Sequence, residues 1–187
     1  HYILTLYEKR VDSADLPFFI EVMQVLAESG LNCPLPVTAR DGSILEELQG
    51  RPCAIFTFLD GTWSRFPNRE KCAEMGRTLA TMHLNCAPVR LRRPNALGPA
   101  AWQPLLDSIG PQADIVGDGM HDAIRQRLDS ILAAWPTDLP SGVIHADLFP
   151  NNVLFIGDRL TGVIDFYFAC DDIFAYDLGI CLNSWCF

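Results

Sequence analysis

The feature that most constrains this chain is a short polar segment, His145–Asn152, enclosed by apolar runs. The pair Val143-Ile144 precedes it, and the β-forming run Val153–Ile156 follows it directly. A second β-forming run, Leu160–Ile164, ends at Asp165. The order strand, loop, strand, turn, strand predicts that the polar residues stand at strand ends, where a rigid scaffold can position them for chemistry.

The spacing of three polar residues suits phosphoryl transfer. Asp147 and Asn152 lie in one loop that matches H-x-D-L-x-x-x-N, the pattern of a kinase catalytic loop, and Asp165 follows 13 positions after Asn152. In such a loop the carboxylate faces the attacking hydroxyl, while the amide oxygen faces the metal ion under the phosphates. Mg²⁺ prefers hard oxygen ligands. Asp147 is therefore the candidate catalytic residue, and Asn152 and Asp165 are the candidate metal ligands.

Each of these residues also has a purely structural explanation. Asp147 and Asn152 would suit any turn, because Asp and Asn are common where the chain bends. Asp165 would suit the end of a strand. The joint pattern favours the functional interpretation. His145 is expected to brace the loop by hydrogen bonding, since the neighbouring carboxylate already supplies the base.

The first 60 residues predict a small α+β lobe. The run Tyr2–Glu8 is rich in β-formers and predicts a strand. Capping residues at 12–15 and a stop at Gly30 delimit a helix. Two x-Gly turns between apolar runs then predict an antiparallel meander. Its strands would be Pro36–Arg40, Ser43–Leu48 and Pro52–Leu59.

The pattern changes after Asp60-Gly61, and the remainder predicts a mostly helical lobe. Asn68 caps a helix that runs to about Cys86, and residues 87–99, with three prolines, form a loop. Apolar residues at helical spacing predict a helix between Met120 and Trp135. The β-runs after residue 143 include a hairpin at Gly157-Asp158, and a last helix covers 175–185.

Charge and apolar content exclude two classes of partner. The chain carries 14 basic and 23 acidic side chains, a net charge of −9. Nucleic-acid-binding proteins usually present a basic stripe, and here only residues 90, 92 and 93 form a short arginine cluster. No apolar run approaches the roughly 20 residues of a membrane-spanning helix. Neither a nucleic acid nor a membrane is an expected partner.

The cysteines indicate a reducing compartment. Seven cysteines, an odd number, form no C-x-x-C pair, which argues against a disulfide framework or a zinc site. Buried free thiols in a cytoplasmic protein are expected. The first residue is His1 rather than Met, and a strand is predicted from residue 2. The chain is therefore expected to start within a longer protein.

Three strings carry a family resemblance: VIHADLFPNNVLF, GVIDFYFACDD and AYDLGICLNSWCF. They resemble the aminoglycoside phosphotransferase/choline kinase-like superfamily, whose motif is H-G-D-x-x-x-x-N followed by I-D-F/W. The strings F-Y-F-A-C and C-L-N-x-W-C-F are similar to the bacterial homoserine kinase branch. The resemblance covers nearly the whole chain. It implies an α+β, protein-kinase-like fold of two lobes, a partial nucleotide-binding lobe at 1–60 and an incomplete catalytic lobe at 61–187.

The resemblance implies an activity and its cofactors. ATP would donate its γ-phosphate to the hydroxyl of L-homoserine, a step of threonine biosynthesis, with Asp147 near that hydroxyl. Asn152 and Asp165 would hold Mg²⁺ on ATP. Three hinge residues would receive the adenine: Phe56, Phe58 and Leu59.

The resemblance also implies roles for residues near the end of the chain. Asp171 and Asp172 would bind the ammonium group of homoserine, although solvent-facing charges would explain them equally. Asp177 would brace the catalytic loop as a structural residue. His83, in a string similar to the L-A-x-L-H helix of the superfamily, would be a packed core histidine.

The chain departs from the family pattern at the phosphate-binding side. Kinases carry a lysine on the strand at Tyr2–Glu8, paired with a glutamate on the next helix. Here Thr5 occupies that position, Lys9 lies about 13 Å further along a strand, and Glu21 is the helical acid. No G-x-G-x-x-G loop is present.

Two alternatives to a homoserine kinase stay open. One is another small-molecule kinase of the same fold, with an aminoglycoside, choline or another amino alcohol as acceptor. The other is a non-catalytic fragment that binds a nucleotide or a partner.

Overall fold

The computed structural model describes residues 1–8 and 11–187. Lys9, considered above as a substitute for the strand lysine, lies outside the described residues. The described residues form two compact units, one made of His1–Arg93 with Ser141–Phe187 and one of Pro94–Pro140. The lobe boundary expected at residues 60–61 falls inside the first unit and stays a prediction. Within the described ranges, no helix has the length and apolar character needed to cross a membrane.

A three-stranded antiparallel sheet and one helix begin the first unit. Strand β1 (Tyr2–Leu6) and strand β2 (Glu46–Leu48) both pair with β3 (Arg51–Thr57), so the sheet order is β1-β3-β2. Helix α1 (Leu16–Glu28) has Pro17 in its first turn, where a missing N–H costs nothing. Strand β1 and helix α1 confirm the predicted first strand and first helix. One face of α1 is buried. Its buried residues are Leu16, Phe18, Phe19, Ile20, Val22, Met23 and Leu26.

The predicted meander is wrong in its first strand. Within Pro36–Arg40, only Pro36 makes a β-bridge, to Phe56. Proline has no N–H with which to continue a ladder. The chain then turns on itself, because Ala39 donates its N–H to the carbonyl of Ser43 at 2.7 Å. Only the second and third predicted strands form, as β2 and β3.

Helix α2 (Arg69–Asn85) agrees with the predicted bounds. The side chain of Asn68 accepts a hydrogen bond from the N–H of Lys71 at 2.9 Å, the expected N-cap. Met75, Leu79 and Met82 form the buried face of α2. The last helix, α5 (Phe174–Trp185), also lies close to its predicted position.

Two small antiparallel pairs frame the candidate site. Strand β5 (Val153–Ile156) and strand β6 (Arg159–Val163) form the expected hairpin, with Gly157 at φ 62° in its turn. Strand β4 (Ser141–Ile144) pairs with β7 (Cys170–Ile173), which the sequence analysis missed. The sequence Cys-Asp-Asp-Ile has two residues that disfavour strands. Pairing with β4, rather than local propensity, makes it a strand.

The second unit contains two helices, α3 (Pro99–Ile109) and α4 (Met120–Ala133). Helix α4 was predicted, whereas α3 was not, because Pro104 inside it and Pro99 at its start disguise the pattern. Arg125 of α4 donates to a carboxylate oxygen of Asp107 of α3 at 2.9 Å. This ion pair joins the two helices.

The cysteine prediction is confirmed for most positions. All seven thiols are free, and five are buried, whereas Cys72 is half-buried and Cys186 is exposed. Burial raises the pKa of Cys33, Cys86 and Cys181 to about 12. Burial therefore favours the neutral thiol form of these three cysteines.

Candidate active site

The loop 145–152 leaves β4 through a sharp bend. Ile144 is buried, and Ala146 adopts φ 61°, a left-handed conformation that a residue with a side chain rarely takes. A single helical turn, Pro150–Asn152, then leads into β5. Because the N–H of Ile164 donates to the carbonyl of Asn152 at 2.9 Å, the end of this loop is also tied to the end of β6. Both candidate metal ligands thus stand on one hydrogen-bonded frame.

Asp147 and Asn152 are in direct contact. The side-chain amide of Asn152 donates to carboxylate Oδ2 of Asp147 at 2.9 Å and to its carbonyl at 2.8 Å. With both amide hydrogens directed at Asp147, the Oδ1 atom of Asn152 points elsewhere, with the side chain of Asn151 at 3.5 Å. An amide oxygen held in this way suits a hard cation.

His145 is fully buried and its protonation follows from its neighbours. Its Nε2 faces the carbonyl of Ile164 at 3.1 Å, and its Nδ1 faces the N–H of Asp147 at 3.3 Å. Because the carbonyl can only accept and the N–H can only donate, the ring carries its proton on Nε2. Burial lowers the pKa of His145 below its ordinary value. The prediction that this histidine braces the loop is confirmed.

Asp177, on the first turn of α5, holds the start of the same loop. Its two carboxylate oxygens accept the backbone N–H groups of His145 and Ala146, each at 3.0 Å. A third contact reaches Nε2 of His83 on α2 at 2.9 Å. The pKa of the fully buried Asp177 lies below its ordinary value; burial opposes this, but the His83 contact and the other hydrogen bonds outweigh it. The expected bracing role of Asp177 is confirmed.

His83 does more than fill the core. Its ring stacks on Phe174 with centroids 4.4 Å apart, while its Nε2 binds Asp177. The sequence analysis identified it as a packed residue and missed this hydrogen bond. The signal was available in principle, because a histidine within an apolar helix face needs a polar partner when it is buried.

The other end of α5 holds the middle of the loop. The indole N–H of Trp185 donates to the carbonyl of Leu148 at 2.7 Å, and both residues are buried. Helix α5 therefore orients Asp147 from both sides, through Asp177 before it and Leu148 after it. Sequence reasoning had assigned Trp185 no role.

A cavity of about 350 Å³ opens beside Asp165. The three residues expected to receive adenine all line it, and Phe56 is otherwise buried whereas Phe58 is half exposed. Its other side chains are mainly apolar, as in pockets that accept flat aromatic groups. The residues around it include Thr5, Phe56, Phe58, Leu59, Asp165 and Tyr167.

Asp165 reaches the site through a strained backbone. Its φ of 65° lies in the left-handed region, a conformation that costs a non-glycine residue of order 1 kcal/mol and is found mainly at functional sites. Burial raises the pKa of Asp147, and the negative charge of Asp165 acts in the same direction. The negative charges of Asp147 and Asp165 therefore repel each other, and a bound cation would reduce this repulsion.

The donor set fits Mg²⁺ with phosphate oxygens as its remaining ligands. Asp165 contributes a carboxylate and Asn152 an amide oxygen, and Mg²⁺ typically takes only one or two protein groups beside phosphates. Among the residues that the structure describes, no group of three or more His, Cys, Asp or Glu side chains is arranged to hold a metal ion.

Asp171 and Asp172 lie on β7, opposite Val143 and Gly142 of β4. The carboxylate of Asp171 accepts from the guanidinium of Arg92 at 3.1 Å and from the N–H of Arg93 at 2.9 Å. Asp172 accepts the N–H of Ile173 at 2.7 Å. Their role toward an ammonium group stays a prediction.

The strand position of the kinase lysine carries a hydroxyl cluster. Thr5 and Tyr167 both line the cavity, and the hydroxyl of Tyr167 lies 3.4 Å from that of Tyr7. Burial raises the pKa of Tyr167. Glu21 of α1, the position that pairs with the lysine in the kinase pattern, accepts the backbone N–H groups of Arg90 and Leu91, each at 2.9 Å.

Comparison with known proteins gives a consistent picture. The family described as "Phosphotransferase enzyme family" matches residues 1–187. A homoserine kinase of Rhizobium etli is 56% identical over 99% of this chain, and one of Bradyrhizobium diazoefficiens is 57% identical over 100%. The chain spans only 58% and 57% of these two relatives.

Solved structures share the fold. An amicoumacin kinase in complex with AMP-PNP, Ca²⁺ and Ami superimposes with a TM-score of 0.80 at 18% identity, over 98% of this chain and 57% of that one. The GDP complex of aminoglycoside 2'-phosphotransferase-IIIa gives 0.71 at 19%, over 98% and 66%. The expected kinase-like α+β fold is confirmed.

Proposed function

Because the chain belongs to the phosphotransferase enzyme family, we propose that the protein containing it transfers the γ-phosphate of ATP to the hydroxyl of L-homoserine. The observation that carries the proposal is the contact between Asp147 and Asn152 next to Asp165. Asp147 offers a carboxylate to the acceptor, and Asn152 and Asp165 offer two oxygen ligands to a cation beside it. The relatives named homoserine kinase, at 56–57% identity, support the acceptor.

Each site residue has a defined task in this reaction. Asp147 orients the acceptor hydroxyl and takes its proton as the oxygen attacks the phosphorus. Asn152 and Asp165 would hold Mg²⁺, which would supply positive charge beside the phosphates of ATP. Asp177 and His145 keep the loop rigid, so that the reacting oxygen is held in line.

The nucleotide would enter the cavity between the hinge and Asp165. Phe56, Phe58 and Leu59 offer an apolar slot to adenine at one side, and Asp165 marks the phosphate side. The AMP-PNP and Ca²⁺ in the amicoumacin kinase complex support a nucleotide triphosphate with a divalent cation. Mg²⁺ as that cation, and a cytoplasmic location in threonine biosynthesis, are further parts of the proposal.

The binding of homoserine through Asp171 and Asp172 is a separate part. Replacing Asp172 by Asn is expected to raise the homoserine KM about tenfold with little change in kcat, because an ion pair with the ammonium is lost. Asp171→Asn is measured beside it and is also expected to raise the homoserine KM, because both carboxylates are proposed to contact the same ammonium group. Unchanged homoserine KM values in both variants would remove these residues from the site.

The activity is tested by coupled ADP release in the full-length protein. Homoserine, choline and kanamycin are offered separately as acceptors, and turnover is expected with homoserine. Asp147→Asn should lower kcat by about 10²–10⁴-fold with a nearly unchanged KM for ATP, because it removes the base and not the nucleotide site. Asp118→Asn, an exposed residue of the second unit, is the control.

Three outcomes contradict the proposal. Turnover only with choline or kanamycin would assign another acceptor, and no turnover with any acceptor would leave a nucleotide-binding protein. Full activity in Asp147→Asn would show that the carboxylate has a different role.

A further inference from the structure

A short segment between α2 and the second unit, residues 90–93, contacts helix α1 at its middle. The two carboxylate oxygens of Glu21 accept the N–H groups of Arg90 and Leu91 separately, each at 2.9 Å. A carboxylate that receives two aligned N–H groups is held more tightly than one in a single neutral hydrogen bond. The backbone of this 90–93 segment is thus attached to α1.

Arg93 extends the same attachment to the start of α1. Its Nε donates to Oδ2 of Asp15, the N-cap position of the helix, at 2.6 Å. Its guanidinium carbon also lies 5.1 Å from the centre of the Phe19 ring, within the range of a cation–π contact. The Arg93 side chain is only 17% exposed. An ion pair with this much burial is less screened than a surface pair.

The opposite side of Arg93 binds the chain that follows Asp165. Its Nη1 donates to the carbonyl of Ala169 at 3.1 Å, and Ala169 is fully buried. Its N–H donates to Asp171 at 2.9 Å, and its carbonyl accepts the N–H of Asp171 at 2.7 Å. Arg93 therefore binds α1 and the 169–171 backbone at the same time.

The link from Ala169 to Asp165 is short and regular. Residues 166–168 form one helical turn, closed by the N–H of Ala169 on the carbonyl of Phe166 at 2.9 Å. Phe166 is buried. Asp165, four residues before Ala169, adopts a left-handed φ of 65°, and a strained backbone of this kind persists only when the surrounding contacts hold it.

Kinases orient the corresponding helix with a lysine–glutamate ion pair. Here Thr5 stands at the lysine position, and Glu21 is already bound to the 90–93 backbone. We propose that Arg93 is a positioning residue that holds the Asp165–Ala169 segment against α1, and so sets the position of the metal-binding carboxylate. That last part rests on the proposed function, in which Asp165 binds the cation.

The geometry explains why arginine is required. The planar guanidinium donates in two directions, from Nε to Asp15 and from Nη1 to Ala169, and stacks on a ring at the same time. Lysine would keep the positive charge, but its single ammonium nitrogen would have to bind both Asp15 and the carbonyl of Ala169. Methionine keeps much of the length and removes every donor.

The test compares Arg93→Met with Arg92→Met in the full-length protein. Arg92 binds the same Asp171 carboxylate at 3.1 Å, but its side chain is 62% exposed, so it is a matched control. The first measurement is amide hydrogen exchange without nucleotide. Arg93→Met is expected to raise exchange at residues 166–171 roughly tenfold, the effect of losing charge-assisted hydrogen bonds, and Arg92→Met to leave it unchanged.

The second measurement is binding of Mg²⁺ and ADP by calorimetry. Arg93→Met should raise the Mg²⁺ concentration needed for half-saturation about five- to twentyfold, whereas Arg92→Met should leave it within about twofold of wild type. Arg93→Lys should fall between Arg93→Met and wild type. Asp15→Asn, which removes the other half of the ion pair, should reproduce the exchange change at residues 166–171.

Two results would overturn the inference. One is unchanged exchange at residues 166–171 in Arg93→Met. The other is an equal increase in the β5–β6 hairpin, which would mean general destabilisation rather than local positioning. Should the wild type show no homoserine-dependent turnover, the proposed function fails, whereas exchange and Mg²⁺–ADP binding still decide the role of Arg93.

Discussion

At the scale of single residues, Asp177 holds the start of the loop 145–152. Three groups contact its buried carboxylate: the backbone N–H groups of His145 and Ala146, and the Nε2 atom of His83 on α2. The two N–H groups that it receives belong to His145 and Ala146, directly before Asp147. Ala146 can keep its left-handed backbone because these N–H groups are held.

We expect Asp177→Asn to lower both stability and turnover. The amide has one acceptor oxygen instead of two, so a backbone N–H loses its charged partner, at a cost of about 2–3 kcal/mol. Turnover should fall about 10- to 100-fold as the loop loses its alignment. Thermal unfolding and ADP release measure the two effects.

The control for Asp177→Asn is Asp158→Asn at the turn of the β5–β6 hairpin, where the carboxylate accepts a hydrogen bond from exposed Asn68 at 2.9 Å. Asp158→Asn should change turnover by less than about twofold and the free energy of unfolding by less than about 0.5 kcal/mol. Wild-type turnover in Asp177→Asn would contradict a positioning role for this carboxylate.

His145 predicts a pH dependence of stability. Its pKa is lowered in the folded protein by burial, whereas an unfolded histidine has a pKa near 6.5. The unfolded state therefore binds more protons below pH 6.5, and the free energy of unfolding falls as the pH drops through this range, by up to about 1.4 kcal/mol per pH unit. The pKa of Asp177 is lowered in the folded protein, so its contribution to the free energy of unfolding is lost only at more acidic pH, as this carboxylate becomes protonated.

Denaturant unfolding between pH 7.5 and 5 measures this dependence. In His145→Gln the slope should be smaller than in wild type, even if the variant is less stable at every pH, because the titrating group is gone. Equal slopes in the two proteins would mean that His145 does not remain neutral in the folded state.

At the scale of elements, β4 and α5 meet at a glycine. A Cβ atom at Gly142 would lie 2.9 Å from the ring of Phe174, the first residue of α5. That ring stacks on His83, which binds Asp177. The close approach of strand and helix therefore helps to hold Asp177 against the loop 145–152.

Gly142→Ala is expected to destabilise the protein by about 1–3 kcal/mol, as overpacking does, and to lower turnover. The ring of Phe174 must move, and His83 moves with it. Gly179→Ala, in α5 with open space around the added atom, is the control and should be neutral or slightly stabilising. Wild-type thermal stability in Gly142→Ala would contradict the packing argument.

At the scale of the whole chain, the two compact units differ in how much core they contain. Helix α1 buries seven residues in the first unit, whereas α3 and α4 each bury a single leucine, Leu106 and Leu128. Protection of backbone amides depends on the buried contacts that must be broken to expose them. Amide exchange is therefore expected to be at least about tenfold faster in α3 and α4 than in α1.

Hydrogen-exchange mass spectrometry of the full-length protein tests this expectation. The peptides covering 99–109 and 120–133 are compared with those covering 16–28 at equal pH and temperature. Equal protection in the two units would contradict the proposed link between buried core and local stability.

The local features of this protein follow from its amino-acid sequence alone. The spacing of Asp147, Asn152 and Asp165, the cap at Asn68 and the hairpin at Gly157 all depend on residues close in the chain. Local conformational preferences and hydrogen bonds within a few residues decide such features. Helices α1, α2, α4 and α5 and the hairpin were therefore predictable from the order of residues, whereas α3 was not.

Only the tertiary structure decided which distant groups complete the site. The strand β7 exists because β4 pairs with it, and Glu21 and Arg93 acquired partners about 70 or more positions away. Asp177 was expected to brace the loop, but its link through His83 to α2 was not. Burial forces each polar group to find a partner, and packing between elements far apart in the chain determines which partner it finds.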